Sequence, residues 1–127
     1  MKRKIYDVLL EWKKDGAGKT ALLIDGARRV GKSYIVEEFA KAEYKTYLMI
    51  DFNRVNDEVK DLFNNYLNDL DSLFMYLSVY YNVKLYPHES LIIFDEVQDC
   101  PKVINSMKYF CENAPQYHIA CAGSLLG

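Results

Sequence analysis

Residues 22–33 read Leu-Leu-Ile-Asp-Gly-Ala-Arg-Arg-Val-Gly-Lys-Ser. An apolar run stops at a glycine, Gly31-Lys32-Ser33 follows, and residues 34–40 read as helix. This is the G-x-x-x-x-G-K-[ST] pattern of a phosphate loop, placed between a strand and a helix as that loop requires. Glycine lets the backbone close around an anion. The amides of the loop and of the first helical turn then point at phosphate oxygens. Lys32 suits the β and γ oxygens, and the Ser33 hydroxyl suits Mg²⁺. The expectation is a nucleotide site built from Gly26, Ala27, Arg28, Arg29, Val30, Gly31, Lys32 and Ser33.

A second glycine-lysine cluster, Gly16-Ala17-Gly18-Lys19-Thr20, imitates the end of such a loop. No strand precedes it, and Lys13 stands where the pattern needs its first glycine. The apolar run that follows is a strand, so this segment reads as a turn into it.

The 127 residues, half of them hydrophobic, suffice for one core. Net charge is −2, unevenly spread: residues 1–45 hold 11 Lys/Arg and 7 Asp/Glu, residues 46–127 hold 5 and 11. The basic part contains the phosphate loop, but it lacks the dense cluster of a nucleic-acid surface. Cys100, Cys111 and Cys121 are odd in number and widely spaced, which argues against a disulfide framework or a metal site. Asp7 interrupts the apolar run after the basic N-terminus, so no secretory segment is expected there. No run is long enough to span a membrane. A reducing cytoplasm is the expected location.

Residues 3–14 carry Ile5, Val8, Leu9 and Trp12 at helical spacing, which predicts a lead-in helix packing on the domain. With the turn that follows, it makes residues 1–20 an N-terminal helix and turn, and 21–127 the core. Strands are predicted at 21–25 and 46–50, with a helix between them burying Ile35, Val36, Phe39 and Ala40. The strands are unbroken apolar runs, as in a parallel sheet covered on both faces. Residues 56–81 are helical, with Val59, Leu62, Phe63, Tyr66, Leu67, Leu70, Leu73, Phe74 and Leu77 as the buried stripe. Asn64-Asn65 and residues 69–72 are places where that stretch can divide.

Leu91-Ile92-Ile93-Phe94 then runs into Asp95-Glu96. Two carboxylates at the carboxyl end of a parallel strand form the Walker B arrangement, because ligands in such sheets sit at the strands' carboxyl ends. Asp95 is expected to hold Mg²⁺, directly or through water, and Glu96 to polarise the attacking water. Pro101 opens a helix striped by Val103, Ile104, Met107, Phe110 and Cys111. A last strand at 117–122 closes on Gly123-Ser124. A small hydroxyl there can reach the γ-phosphate or the water, so Ser124 joins Glu96 and Lys32 as a candidate catalytic residue. His118 reads as a core or surface residue, and His88 as a solvated turn residue.

These motifs resemble a known family. Residues 26–33, Leu91 through Pro101 with its Asp95-Glu96-Val97-Gln98 core, Met107-Lys108-Tyr109-Phe110, Tyr117-His118-Ile119 and the closing Ala122-Gly123-Ser124-Leu125-Leu126-Gly127 are similar to the ATPase domain of a prokaryotic AAA+ group. In that group the domain is normally followed by a poorly characterised C-terminal domain. The resemblance implies a P-loop NTPase three-layer sandwich with a parallel sheet ordered 5-1-4-3-2. It implies phosphate and metal binding by Lys32 and Ser33, Mg²⁺ support by Asp95, a base at Glu96 and the sensor-1 position at Ser124. Only four of the five core strands are expected here, and no arginine finger, helical lid or sensor-2 arginine is legible. The chain therefore reads as ending after sensor 1. Strand 1 is then an open edge that invites pairing with a second copy, and weak turnover is expected.

A P-loop kinase would need a basic lid, and 97–116 supplies only Lys102 and Lys108. A GTPase would need an Asn-Lys-x-Asp signature, which is absent, so ATP is the expected nucleotide. The alternative from another class is a non-catalytic module in which ATP is a structural or regulatory ligand, or which presents its surface to a protein partner.

Overall fold

The computed structural model describes residues 2–25 and 32–124. Helix α1 (Lys2–Asp15) leads through a turn to strand β1 (Leu22–Asp25). Helix α2 (Lys32–Glu43), strand β2 (Thr46–Asp51) and helices α3 (Asp57–Asn65) and α4 (Leu70–Tyr81) follow. Strand β3 (Ser90–Asp95), one 3₁₀ turn (Val97–Asp99), helices α5 (Pro101–Asn105) and α6 (Met107–Asn113) and strand β4 (His118–Gly123) complete the order. The four strands form one parallel sheet in the order β1-β4-β3-β2. This is the order that the resemblance implies for strands one to four, and the fold is α/β as expected.

The apolar runs of β3 and β4 are buried along their whole length because helices cover both faces of the sheet. Alternate residues serve opposite sides. Ile92 and Phe94 join Leu48, Ile50, Ile119 and Cys121 in a core with α3, α4, α5 and α6. Leu91, Ile93 and Ala120 join Leu9, Ile35, Val36, Phe39 and Ala40 in a core with α1 and α2. The first core is aromatic: Phe94 packs its ring 5.7 Å from Phe52, 5.8 Å from Phe63 and 5.9 Å from Phe110. β1 is one edge of this sheet, and its Leu23 is 53% exposed.

Local chemistry explains the helix ends. The stretch 56–81 divides as its polar residues suggested. Asn56 caps α3 by accepting from the Val59 amide at 3.1 Å. Asp69 caps α4, accepting from the Ser72 amide and hydroxyl at 3.3 and 2.7 Å. Asn82 ends α4 in the left-handed conformation. The single helix expected after Pro101 is two, broken at Ser106. There the Ser106 hydroxyl donates to the Lys102 carbonyl at 2.7 Å and its amide to the Val103 carbonyl at 3.1 Å, a tightened turn that stops α5. In α1 the buried face is rotated from the expected stripe. Leu9 is buried, and Tyr6 packs edge-on against Phe39, while Ile5 and Val8 are exposed. Residues 16–20 form the turn into β1, fastened by the Trp12 indole donating to the Thr20 carbonyl at 3.1 Å.

Candidate nucleotide site

Register brings the strands' carboxyl ends to one edge of the sheet. Asp25 pairs with Gly123 across β1 and β4, and Asp51 with Asp95 across β2 and β3. The β2 chain continues past its last rung, with the Phe52 amide donating to the Asp95 carbonyl at 3.0 Å. β1 ends at Asp25 and α2 begins at Lys32. Residues 26–31, which carry the phosphate-loop expectation for Gly26, Ala27, Arg28, Arg29, Val30 and Gly31, lie outside the described residues, as do the side chains of Lys32 and Ser33. The backbone of Lys32 and Ser33 is the first turn of α2, a 12-residue helix whose first amides, like those of any α-helix, have no acceptor within the helix.

The acid pair sits at the end of β3. Asp95 is only 6% exposed, and its Oδ1 accepts from the Glu96 amide at 2.9 Å. That bond belongs to a sharp bend: Glu96 has φ 50° and ψ 47°, a left-handed conformation that costs a non-glycine residue about 1–2 kcal/mol. The bend turns the chain out of the sheet, and Val97, fully buried, anchors the 3₁₀ turn beneath it. Such departures gather at functional sites, where the surrounding structure holds them. The Glu96 carboxylate accepts from Gln98 Nε2 at 2.9 Å.

The end of β4 closes on the same turn. The Ser124 amide donates to Gln98 Oε1 at 3.1 Å. Asp95, Glu96 and Ser124, three residues singled out from sequence, are thereby collected around one loop. Next to them Asp51 Oδ1 accepts from the Asn53 amide at 2.9 Å, and Asn53 Nδ2 donates to Asp99 at 3.1 Å. Arg54 lies 3.7 Å from Asp51 on the exposed rim. Sequence reasoning gave Gln98 no role of its own and passed over Asn53 and Asp99. Their only signal was polar side chains within a few residues of two strand ends.

The donors fit a hard divalent cation, since carboxylate and hydroxyl oxygens suit Mg²⁺. Among the described residues no group of three or more His, Cys, Asp or Glu side chains could hold a metal by itself. Mg²⁺ keeps few protein ligands and takes the rest from water and phosphate oxygens, so a single buried carboxylate such as Asp95 is compatible with it. The half-buried Cys100 beside the turn has its thiol pushed up by burial. An apolar cleft of about 440 Å³ lies elsewhere, along β1, between Ala21, Leu23, Ile104, Met107, Cys111 and Cys121. None of the described site residues, Asp95, Glu96 and Ser124, lines it. No described helix is long and apolar enough to cross a membrane.

No curated protein matches the chain. The family of the AAA domain does, over residues 18–127, a span that begins at the turn before β1 and takes in the phosphate loop, the Asp95-Glu96 pair and the end of β4. With that match over most of its length, the chain belongs to the AAA domain family.

Proposed function

We propose that the chain binds Mg-ATP at the carboxyl edge of its sheet and hydrolyses it slowly. Membership of the AAA domain family supports nucleotide binding and an ATPase chemistry. The observation that carries the finer reading is the convergence of Asp95, Glu96 and Ser124 on one edge, at which β1 ends and α2 begins. In this reading the amides of Gly26, Ala27, Arg28, Arg29, Val30 and Gly31 cradle the phosphates. Lys32 neutralises the β and γ oxygens. Asp95 and Ser33 hold Mg²⁺, which when bound draws charge from the phosphate oxygens. Glu96 takes a proton from the attacking water, and Ser124 orients the γ-phosphate or that water. Residues 1–20 form a lead-in that packs on the nucleotide-binding core. An arginine supplied to the γ-phosphate is worth about 10³–10⁵ in rate in comparable enzymes, so turnover is slow unless Arg28 or Arg29 of the loop fills that place.

The test is a titration of a fluorescent ATP analogue with Mg²⁺ on the parent chain and on Lys32→Ala, with light scattering to read any pairing of copies along the open edge of β1. Binding by the parent that is lost in Lys32→Ala supports the site. A well-folded parent that binds no nucleotide refutes it. Glu96→Gln separates the enzyme from the binding module: the enzyme loses turnover and keeps its affinity. A parent that only gains thermal stability from ATP, without turnover, is a binding module.

A further inference from the structure

We propose that Gln98 is the positioning residue of the hydrolytic base, tying Glu96 to the end of β4 through its two-sided amide. The proposal rests on the reading of Glu96 as that base and adds to it the residue that sets where the carboxylate stands. Gln98 occupies the middle of the 3₁₀ turn, whose backbone is closed by the Asp99 amide on the Glu96 carbonyl and the Cys100 amide on the Val97 carbonyl, both at 3.0 Å. With Val97 buried beneath it, the turn gives Gln98 a fixed base from which to reach two partners.

Chemistry fixes which end of the amide faces which partner. The Ser124 amide is a donor only, so the oxygen of Gln98 must face it. The NH₂ group is then left to face Glu96 Oε1, an acceptor when ionised. Both contacts are satisfied by this one orientation. Glutamate in the same place would keep the acceptor toward Ser124 but set a second carboxylate against Glu96. Asparagine is one methylene short of spanning the two. Gly123 supplies independent support for a built contact. A Cβ on that residue would run into Gln98 Oε1 and would stand 3.1 Å from the Val97 amide nitrogen, so the close approach of β4 to this side chain needs the glycine.

The consequence is a base that does not rotate freely. A carboxylate on a two-carbon stem samples several rotamers, and a misplacement of about 1 Å at a reacting centre can cost a hundredfold in rate. One bond from Gln98 removes much of that freedom. Because the same amide holds the residue that carries the Ser124 hydroxyl, a movement at either end is felt at the other.

The experiment compares Mg-ATP turnover, affinity for a fluorescent ATP analogue and melting temperature in the parent, Gln98→Glu, Gln98→Ala, Glu96→Gln and the double variant Glu96→Gln with Gln98→Ala. Gln98→Glu is the informative change, since it keeps the size and the bond from Ser124 while replacing the donor to Glu96 with a second carboxylate. The expected result is a fall in kcat of about ten- to a hundredfold with nucleotide affinity and melting temperature near the parent's. In the Glu96→Gln background, Gln98→Ala brings no further fall, because residues that act as a unit are not additive. Parental or faster turnover in Gln98→Glu overturns the positioning role, as does a Gln98→Ala loss that adds in full to that of Glu96→Gln. A parent that binds ATP without turning it over, or binds none, refutes the hydrolytic reading and the positioning role with it. A parent that turns over while Gln98→Glu is unchanged refutes the positioning role alone.

Discussion

Gly123 lies so close to Gln98 that a methyl group on its α-carbon would overlap the glutamine's amide oxygen and stand 3.1 and 3.3 Å from the Val97 amide nitrogen and Cγ1. The conflict with Gln98 can be relieved by swinging its flexible side chain away, whereas the conflict with the Val97 backbone cannot. Gly123→Ala is therefore expected to destabilise the fold by about 1–3 kcal/mol, the usual cost of overpacking. It is also expected to reproduce the turnover loss of Gln98→Ala. Urea denaturation and an ATPase assay read the two effects, and an alanine variant with parental values in both would contradict the packing described.

The imidazole of His118 sits at the other end of β4, 8% exposed, with the Tyr44 hydroxyl 2.6 Å from its Nδ1 and the Trp12 ring edge-on at 6.0 Å. Burial, and then Glu43, push the Tyr44 phenol up, so it stays protonated beside the ring. Burial first, then His88 and Lys13, hold His118 below its ordinary value of 6.5. The unfolded chain therefore takes up a proton near pH 6.5 that the folded chain refuses. Stability from this group is complete above that pH and is lost as pH falls through the lower folded value. The urea midpoint is expected to decline from pH 6.5 toward 5, and His118→Gln to flatten that decline. An equally steep acid limb in the variant would assign the effect to other groups.

Most of the fold was legible for a physical reason. The run 91–94 lacks alternation because both faces of the sheet are covered there, and that burial is what the residues encode; in the edge strand β2 the equally unbroken run 46–50 is buried at Leu48 and Ile50 and only half-buried at Tyr47 and Met49. The order of the strands came with the resemblance, not from the runs themselves. The break at Ser106 was hidden because Val103, Ile104, Met107 and Phe110 keep helical spacing across it, while the interruption comes from one hydroxyl bonding a carbonyl. The expected face of α1 included Leu9 and Trp12 but left out Tyr6, which packs its ring on Phe39 while its hydroxyl reaches Glu43, a combination that hydropathy spacing undervalues. Asp95, Glu96 and Ser124 are singled out by strand-end logic. The bridge between them is not, since Gln98 and Ser124 are 26 residues apart and meet only once β3 and β4 are paired.

The three cysteines differ in accessibility, and thiol chemistry should resolve them. Cys121 is buried in β4 with its thiol donating toward Met107 Sδ at 3.3 Å, and burial, then Cys111, push it up to about 12. Cys100 and Cys111 are half-buried and raised chiefly by the same desolvation. At pH 8 a thiol near 12 carries on the order of a thousandfold less thiolate than an ordinary one near 8.5. A maleimide is expected to label Cys100 and Cys111 in the native chain and Cys121 only after unfolding, as peptide mass spectrometry would read. Prompt native labelling of Cys121 would mean that β4 opens readily.

Phe94 couples the core to the site. It is fully buried and touches the rings of Phe52, Phe63 and Phe110. It also stands immediately before Asp95 on β3, as Phe52 stands immediately after Asp51 on β2. Phe94→Ala removes the ring at the centre of that cluster and is expected to cost about 3–5 kcal/mol. That is a large share of the roughly 5–15 kcal/mol that holds an ordinary domain folded. Phe94→Leu keeps most of the volume and is expected to cost less than about 1.5 kcal/mol, enough to shift the urea midpoint without unfolding the chain at 25 °C. Because the ring cluster positions the two strand ends, the leucine variant should also weaken Mg-ATP binding more than a change of equal stability cost at Leu9, which lies in the core on the opposite face of the sheet. Equal effects from the two positions would show that nucleotide binding follows global stability and not the placement of Asp95.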